Sequence, residues 1–230
     1  MDSDKQTPDR KKLAAFTLPM GVFLFLLALV SALRKVGGSF WLGSPEYWIY
    51  PAQTIICGGL LLWSRKEFEF RAPSRILFTL GIGLLVFLLW VAPQQFLGFA
   101  PRRIGFDPGI FAGQPAAYWT TIVFRFVRLV VVVPVVEEIF WRGFLLRYLI
   151  NERFYRVEFG TFSWHSFGIV TAAFAFSHSP ADWIAALITG ALYNFVAYRT
   201  LSLTSCILAH ALTNLALGVW IMNTRQWGFW

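Results

Sequence analysis

The sequence has little charge. Only 14% of its 230 residues are Asp, Glu, Lys or Arg, against about 25% in a soluble domain, so a water-facing surface cannot be clothed. Cysteine is scarce too. Cys57 and Cys206 each stand alone in an apolar window with no CxxC or Cys/His cluster around them, which excludes a disulfide framework or structural zinc site and leaves buried packing. There is no HExxH and no serine or cysteine on a nucleophile elbow, so two familiar routes to hydrolysis are missing. Histidine occurs three times.

What the chain does have is apolar length. It is 57% hydrophobic and 18% aromatic, and about 20 apolar residues suffice to span a bilayer. The windows are Ala14–Leu33, Tyr47–Trp63, Ile76–Phe99, Tyr118–Leu149, Trp164–Ser177, Trp183–Tyr198 and Leu201–Met222. They predict an all-α polytopic transmembrane bundle of seven helices. The count rises to eight if the fourth window is two helices, since it would measure about 48 Å as one. No linker or repeat divides residues 1–230, so a single transmembrane domain is expected. The first window is too long for a signal-peptide core and lacks a small-residue cleavage site, so it stays as a helix.

The net charge of +8 does not point to nucleic acid, because the basic residues lie between the windows. Arg10, Lys11 and Lys12 precede the first; Arg65, Lys66, Arg71 and Arg75 follow the second; Arg147 at the end of the fourth is followed by Arg153 and Arg156, and Arg199 follows the sixth. Alternate loops carry fewer. The positive-inside rule then puts the N-terminus in the cytoplasm and, with seven spans, the C-terminus outside.

Against this background the fourth window, with VVVPVVEEIFWRGFLL, is anomalous. A charge at the centre of a membrane helix costs about 2.5–3.5 kcal/mol, so such groups must pair, face the bundle interior or meet water. On a helical wheel Glu138 and Arg142 stack one turn apart, whereas Glu137 lies well around the helix from Arg142. Glu138 is therefore expected to be neutralised by Arg142, with Glu137 pointing elsewhere. Pro134 has no N–H and frees the Val130 carbonyl, which predicts a kink or cavity just before the carboxylates. Arg125 and Arg128 are expected either to pair with the glutamates across helices or to snorkel to the headgroups.

His165 falls at a window's start and reads as interfacial. His178 closes FAFSHSP after Phe174, and His210 sits mid-window with Asn214 one turn on. A buried His and Asn are costly unless satisfied, and with an unpaired glutamate they suggest one polar chamber. A carboxylate and an imidazole can move a proton from water to a leaving amine. A second imidazole and an amide N–H can stabilise an oxyanion. Hydrolysis by activated water is the simplest chemistry for that set.

The ordered motifs EExxxR (Glu137, Glu138, Arg142), FxxxH (Phe174, His178) and HxxxN (His210, Asn214) resemble the CAAX prenyl protease and bacteriocin-processing family, also called the Abi family. The resemblance covers residues 118–217, with all three motifs complete. It implies an intramembrane glutamate protease in which Glu137 activates water with His178 as partner, and His210 and Asn214 stabilise the oxyanion. Glu138 and Arg142 would support the site, and Phe174 would pack its wall. Eukaryotic members remove the last three residues of prenylated proteins, so the implied substrate is a peptide or lipidated protein, cut near the cytoplasmic face. The family is generally read as metal-free and the expected cofactor is none. Zinc held by Glu137, His178 and His210 is the competing reading, because three ligands and an open position would serve hydrolysis equally.

Bacterial members linked to bacteriocin self-immunity or envelope protein sorting make a sorting partner, and location in a bacterial inner membrane, part of the expectation. There the same polar residues could be helix–helix glue in a non-proteolytic protein. The 11 tryptophans suit such small members, or interface anchoring. A transporter would also favour intramembrane Glu and His, but no pair of broken helices in matching halves supports one.

Overall fold

The computed structural model of the protein describes residues 9–230. Seven long helices follow one another: α1 Arg10–Val36, α2 Glu46–Ser64, α3 Ile76–Phe96, α4 Pro115–Tyr148, α5 Trp164–Phe176, α6 Trp183–Thr200 and α7 Leu203–Thr224. A four-residue turn of helix, Phe40–Gly43, lies between α1 and α2. Each apolar window maps onto one helix. The ends differ because caps, rather than apolarity, set them. Asp9 accepts from the Lys11 and Lys12 amides and starts α1 before its window, as an N-cap carboxylate does. Ser163 and Ser202 do the same for α5 and α7, and Pro115 opens α4 where its missing N–H costs nothing. Gly98, at φ +73°, turns the chain out after α3, three residues short of the window's end.

Four of these helices, α1, α3, α4 and α7, are long and apolar enough to cross a membrane, and the protein is a multi-pass integral membrane protein. Large apolar side chains such as Leu77 and Ile184 stand 89% and 80% exposed, a surface that suits lipid and not water. Lys12, Arg71, Arg147 and Arg156 line one cavity of about 320 Å³. The basic clusters that alternate along the sequence thus meet at one end of the bundle.

The fourth window is a single helix of 34 residues. Its backbone widens to π-helix over Arg128–Val132 and Ile139–Leu145, on either side of the α-helical Val133–Glu138. Pro134 gives a physical reason for the first widening. Val133 donates back to the Arg128 carbonyl, five residues away, and the turn before the proline ring opens instead of clashing. The freed carbonyl consequently moves. In this register Leu129 loses Val133 as donor, and Pro134 has no N–H to replace it, so Leu129 is left bare where simple α-geometry pointed to Val130.

Helices α3 and α7 approach closely at Gly83. A Cβ built there would stand 2.7 Å from the Ala209 carbonyl and 3.3 Å from Leu212 Cβ, and Thr213 Oγ1 donates to the Gly83 carbonyl at 2.7 Å. Small residues and a hydroxyl bond are how helices associate where no water drives them together. Gly83→Leu is expected to destabilise the bundle by about 1–3 kcal/mol through overpacking, read as a lowered melting temperature of the purified protein in detergent.

Candidate functional site

Arg142 organises the site. It is fully buried and hydrogen-bonds through all three nitrogens: Nη1 to Glu138 Oε1 at 3.0 Å, Nε to Asn194 Oδ1 at 3.1 Å and Nη2 to the Gly190 carbonyl at 3.2 Å. The guanidinium lies 4.9 Å from the centroid of Phe174 and 5.4 Å from that of Tyr193. The expected Glu138–Arg142 pair is therefore present. It survives the π-helical stretch because four residues make roughly one turn in either helix form. Gly190 permits the approach, since a Cβ there would meet the Thr171 carbonyl at 3.2 Å and Phe174 Cδ1 at 3.3 Å.

Glu138 Oε1 also faces His210 Nδ1 at 2.9 Å. A carboxylate only accepts, so Nδ1 carries the proton; Nε2 can then donate to an oxyanion only if the ring is an imidazolium. His210 packs against Tyr193, whose hydroxyl donates to Thr213 Oγ1 at 2.7 Å. Asn214 Nδ2 donates to the Leu129 carbonyl at 2.9 Å, satisfying the acceptor orphaned by Pro134 and the widened turn. One Asn214 N–H is thus committed to backbone and one remains.

Glu137 is held differently. The residue is 9% exposed, its Oε2 is buried, and that oxygen accepts no hydrogen bond. His178 Nδ1 lies 2.8 Å from the Phe174 carbonyl and 3.3 Å from Ser177 Oγ. The carbonyl requires Nδ1 to be the protonated nitrogen, which assigns Nε2 as a free acceptor. The ring is braced by Phe174 at 4.7 Å and Trp90 at 5.7 Å between centroids.

One cavity of about 270 Å³ collects these groups. Glu137, Phe174, His178, His210 and Asn214 line it, with Trp90, Arg102, Asp182 and Trp230 among the others; Glu138 and Arg142 do not. The two neighbouring glutamates thus have separate surroundings: one inside an ion-pair network, the other on a cavity wall. The loops at the rim, carrying Arg102, Asp182 and Trp230, lie at the end of the bundle away from the basic clusters. Val133 and Leu129, about one and two turns before Glu137 along α4, line the same cavity.

Arg125 and Arg128 also differ from expectation. They neither bond to the glutamates nor snorkel, being 4% and 6% exposed. Arg128 Nε donates to Gln53 Oε1 at 2.6 Å, and both guanidiniums face aromatic rings. His165 is exposed and away from the cavity. Among the described residues no group of three or more His, Cys, Asp or Glu side chains is arranged to hold a metal ion, the Glu137–His178–His210 set included.

Sequence reasoning missed Asn194, which holds Arg142 Nε and donates to Thr171 Oγ1 at 3.1 Å. The signal was present: a lone amide in the apolar run ITGALYNFVAY demands a partner in lipid. Tyr193 and Trp90 gave no such signal, because aromatic residues are everywhere in this chain.

Residues 119–216 match the family model described as type II CAAX prenyl endopeptidase Rce1-like. The matched region runs from the start of α4 into α7 and holds all three motifs; α1 to α3 lie outside it. No curated protein and no solved structure matches the chain.

Proposed function

We propose that the protein is a metal-independent intramembrane endopeptidase using a glutamate and a histidine to activate water. The observation that carries this reading is that Glu137 stands on the wall of a cavity shared with His178 with no cation bonded to it, whereas Glu138, whose own Oε2 is likewise unbonded, is paired through Oε1 with Arg142 and His210 away from that cavity. Glu137 removes a proton from water, and the water oxygen attacks the peptide carbonyl carbon. The tetrahedral oxyanion is met by His210, whose Nε2 donates in the imidazolium form, and by the second Asn214 N–H. His178 Nε2, aligned by its Nδ1 bond to Phe174, helps to pass the proton to the leaving nitrogen, after which the C–N bond breaks. The match to CAAX prenyl endopeptidases supports the reaction class.

By the positive-inside rule the basic end is cytoplasmic, so the cavity meets its substrate from the other side. A peptide or lipidated protein at the outer face of a bacterial inner membrane, handed over by a sorting partner, fits that orientation. The alternative, a non-proteolytic immunity or sorting protein, would use the same residues as glue. It does not explain why Glu137 lines the cavity without a bonded cation while Glu138 is paired with Arg142 and His210.

The test is cleavage of prenylated and unprenylated fluorogenic peptides by protein in nanodiscs, with and without a chelator. Cleavage indifferent to chelator and reduced about 10²–10⁴-fold in His178→Ala is expected. Cleavage abolished by the chelator and restored by zinc would overturn the metal-free reading.

A further inference from the structure

The cavity at the basic end of the bundle plays no part in the mechanism. It measures about 320 Å³, within the ~300–1,000 Å³ of common small-molecule sites. The start of α1, the last turn of α4 and the loops after α2, α4 and α6 enclose it. Both signs of charge line it. Lys12, Arg71, Arg147 and Arg156 are the cations, and Glu67, Glu69 and Glu158 the carboxylates. They do not cancel one another. Glu67 is bonded to Lys11 at 2.7 Å, and among the described residues none of the other six is in an ion pair.

Exposed charges without partners are ordinary on a wet surface, and Arg71, Arg156, Glu69 and Glu158 are exposed. Arg147 is not of that kind. It is part-buried, and its Nε donates to the Gly143 carbonyl at 2.7 Å and its Nη1 to the Val157 carbonyl at 3.3 Å. The rings of Phe154 and Phe16 lie 5.4 and 5.8 Å from the guanidinium. Two backbone bonds and two rings therefore fix the fork, while no carboxylate is bonded to it. A guanidinium held in this way is pre-organised for an anion from outside the chain.

Position and charge together select the ligand. Arg147 lies one residue before the end of α4 at Tyr148, the depth at which basic pockets between helices hold lipid headgroups. Three arginines on one cavity suit an anion with several oxygens, and a phosphate offers them. A purely anionic group would meet Glu69 and Glu158 as like charges. A group that carries an ammonium beside its phosphate answers both signs at once. Buried Phe16 and Leu203 give an apolar wall for the carbons between them.

We propose that this cavity binds a phosphoethanolamine group, its phosphate toward Arg147, Arg71 and Arg156 and its ammonium toward Glu69 and Glu158. The site stands apart from the catalytic cavity and does not depend on the endopeptidase reading. The bound group ties three loops to the start of α1 and stabilises the folded state by mass action.

The test reads melting temperature and retained ligand. The full chain, purified in a maltoside detergent, is titrated with short-chain phosphatidylethanolamine, phosphatidylglycerol and phosphatidylcholine, and with soluble phosphoethanolamine. Native mass spectrometry counts the molecules held. Phosphatidylethanolamine is expected to raise the melting temperature and to bind about tenfold more tightly than phosphatidylglycerol, although the latter carries more net negative charge. Phosphatidylcholine should be weaker as well, since its quaternary ammonium has no N–H to give Glu69 or Glu158. Glu69→Gln/Glu158→Gln should erase the preference over phosphatidylglycerol. Arg147→Met should abolish binding, but it also gives up two backbone bonds. Arg71→Gln/Arg156→Gln gives up none, so it should weaken phosphatidylethanolamine about tenfold while the ligand-free protein melts as wild type. Soluble phosphoethanolamine binding as tightly as the lipid would assign the site to the free compound, and binding of the lipid alone would assign it to a membrane headgroup; either outcome supports the proposal. Equal or tighter binding of phosphatidylglycerol overturns it, leaving only the general attraction of a basic surface for anionic lipid. So does an unchanged affinity in Arg71→Gln/Arg156→Gln, or no binding of any of these probes.

Discussion

Glu137→Gln is expected to lower peptide hydrolysis by about 10²–10⁴-fold, the range a positioned general base contributes, while the melting temperature stays the same or rises. Both halves follow from one feature. Glu137 Oε2 is buried and unbonded, so that oxygen adds no hydrogen bond to the folded state, which carries the cost of a carboxylate held in a largely apolar place. Glutamine keeps the size and the place on the cavity wall and removes the base. A group that costs stability and supplies activity is what a trade-off between the two looks like at one residue. A variant that lost activity together with its fold would instead mark Glu137 as structural. Residual activity in a well-folded variant would measure what His178 and the oxyanion donors supply without it.

The opposite signature is expected at Arg142. Arg142→Met should cost about 3–5 kcal/mol, the usual penalty for removing one member of a buried ion pair. It leaves Glu138 with His210 alone, and it strands Asn194 Oδ1 and the Gly190 carbonyl as well. Because the loss comes mostly from a stranded charge, Glu138→Gln added to Arg142→Met should recover much of it. A double-mutant cycle on unfolding in detergent measures that recovery as a coupling energy. Recovery of stability need not bring back activity, since the double variant no longer holds His210 beside a carboxylate.

Much of this architecture was legible in the sequence, for an identifiable reason. In lipid every backbone group must be satisfied within the helix, so apolar length alone locates helices, and all seven windows found theirs. The pairing of Glu138 with Arg142 was legible too, because both partners share one helix and its period fixes their relation. The gathering of Glu137, His178, His210 and Asn214 on one cavity was anticipated from cost: four polar groups in apolar helices are tolerable together and not apart.

Other features were not legible because they depend on register between helices or on backbone outside the α-form. Pro134 announced a freed carbonyl, but only the widened turn makes it Leu129 and gives it to Asn214. The partner of His210 proved to be Glu138, a choice between adjacent glutamates that depends on how α7 docks on α4. Arg125 and Arg128 were expected at headgroups or in ion pairs. Nothing in their spacing foretold that Tyr50, Phe106 and Trp230, from three distant segments, would enclose Arg125. The loop residues that line the cavity, Arg102, Asp182 and Trp230, were hidden for the same reason: motifs say which residues meet, not which loops join them.

The account turns on a division of labour between two adjacent carboxylates. Its most direct test is one paired measurement, hydrolysis and melting temperature, on Glu137→Gln and Glu138→Gln purified side by side with wild type. The account predicts that Glu137→Gln melts at or above wild type and is nearly inactive, while Glu138→Gln melts lower. A Glu137→Gln protein that cuts peptide as fast as wild type would contradict it.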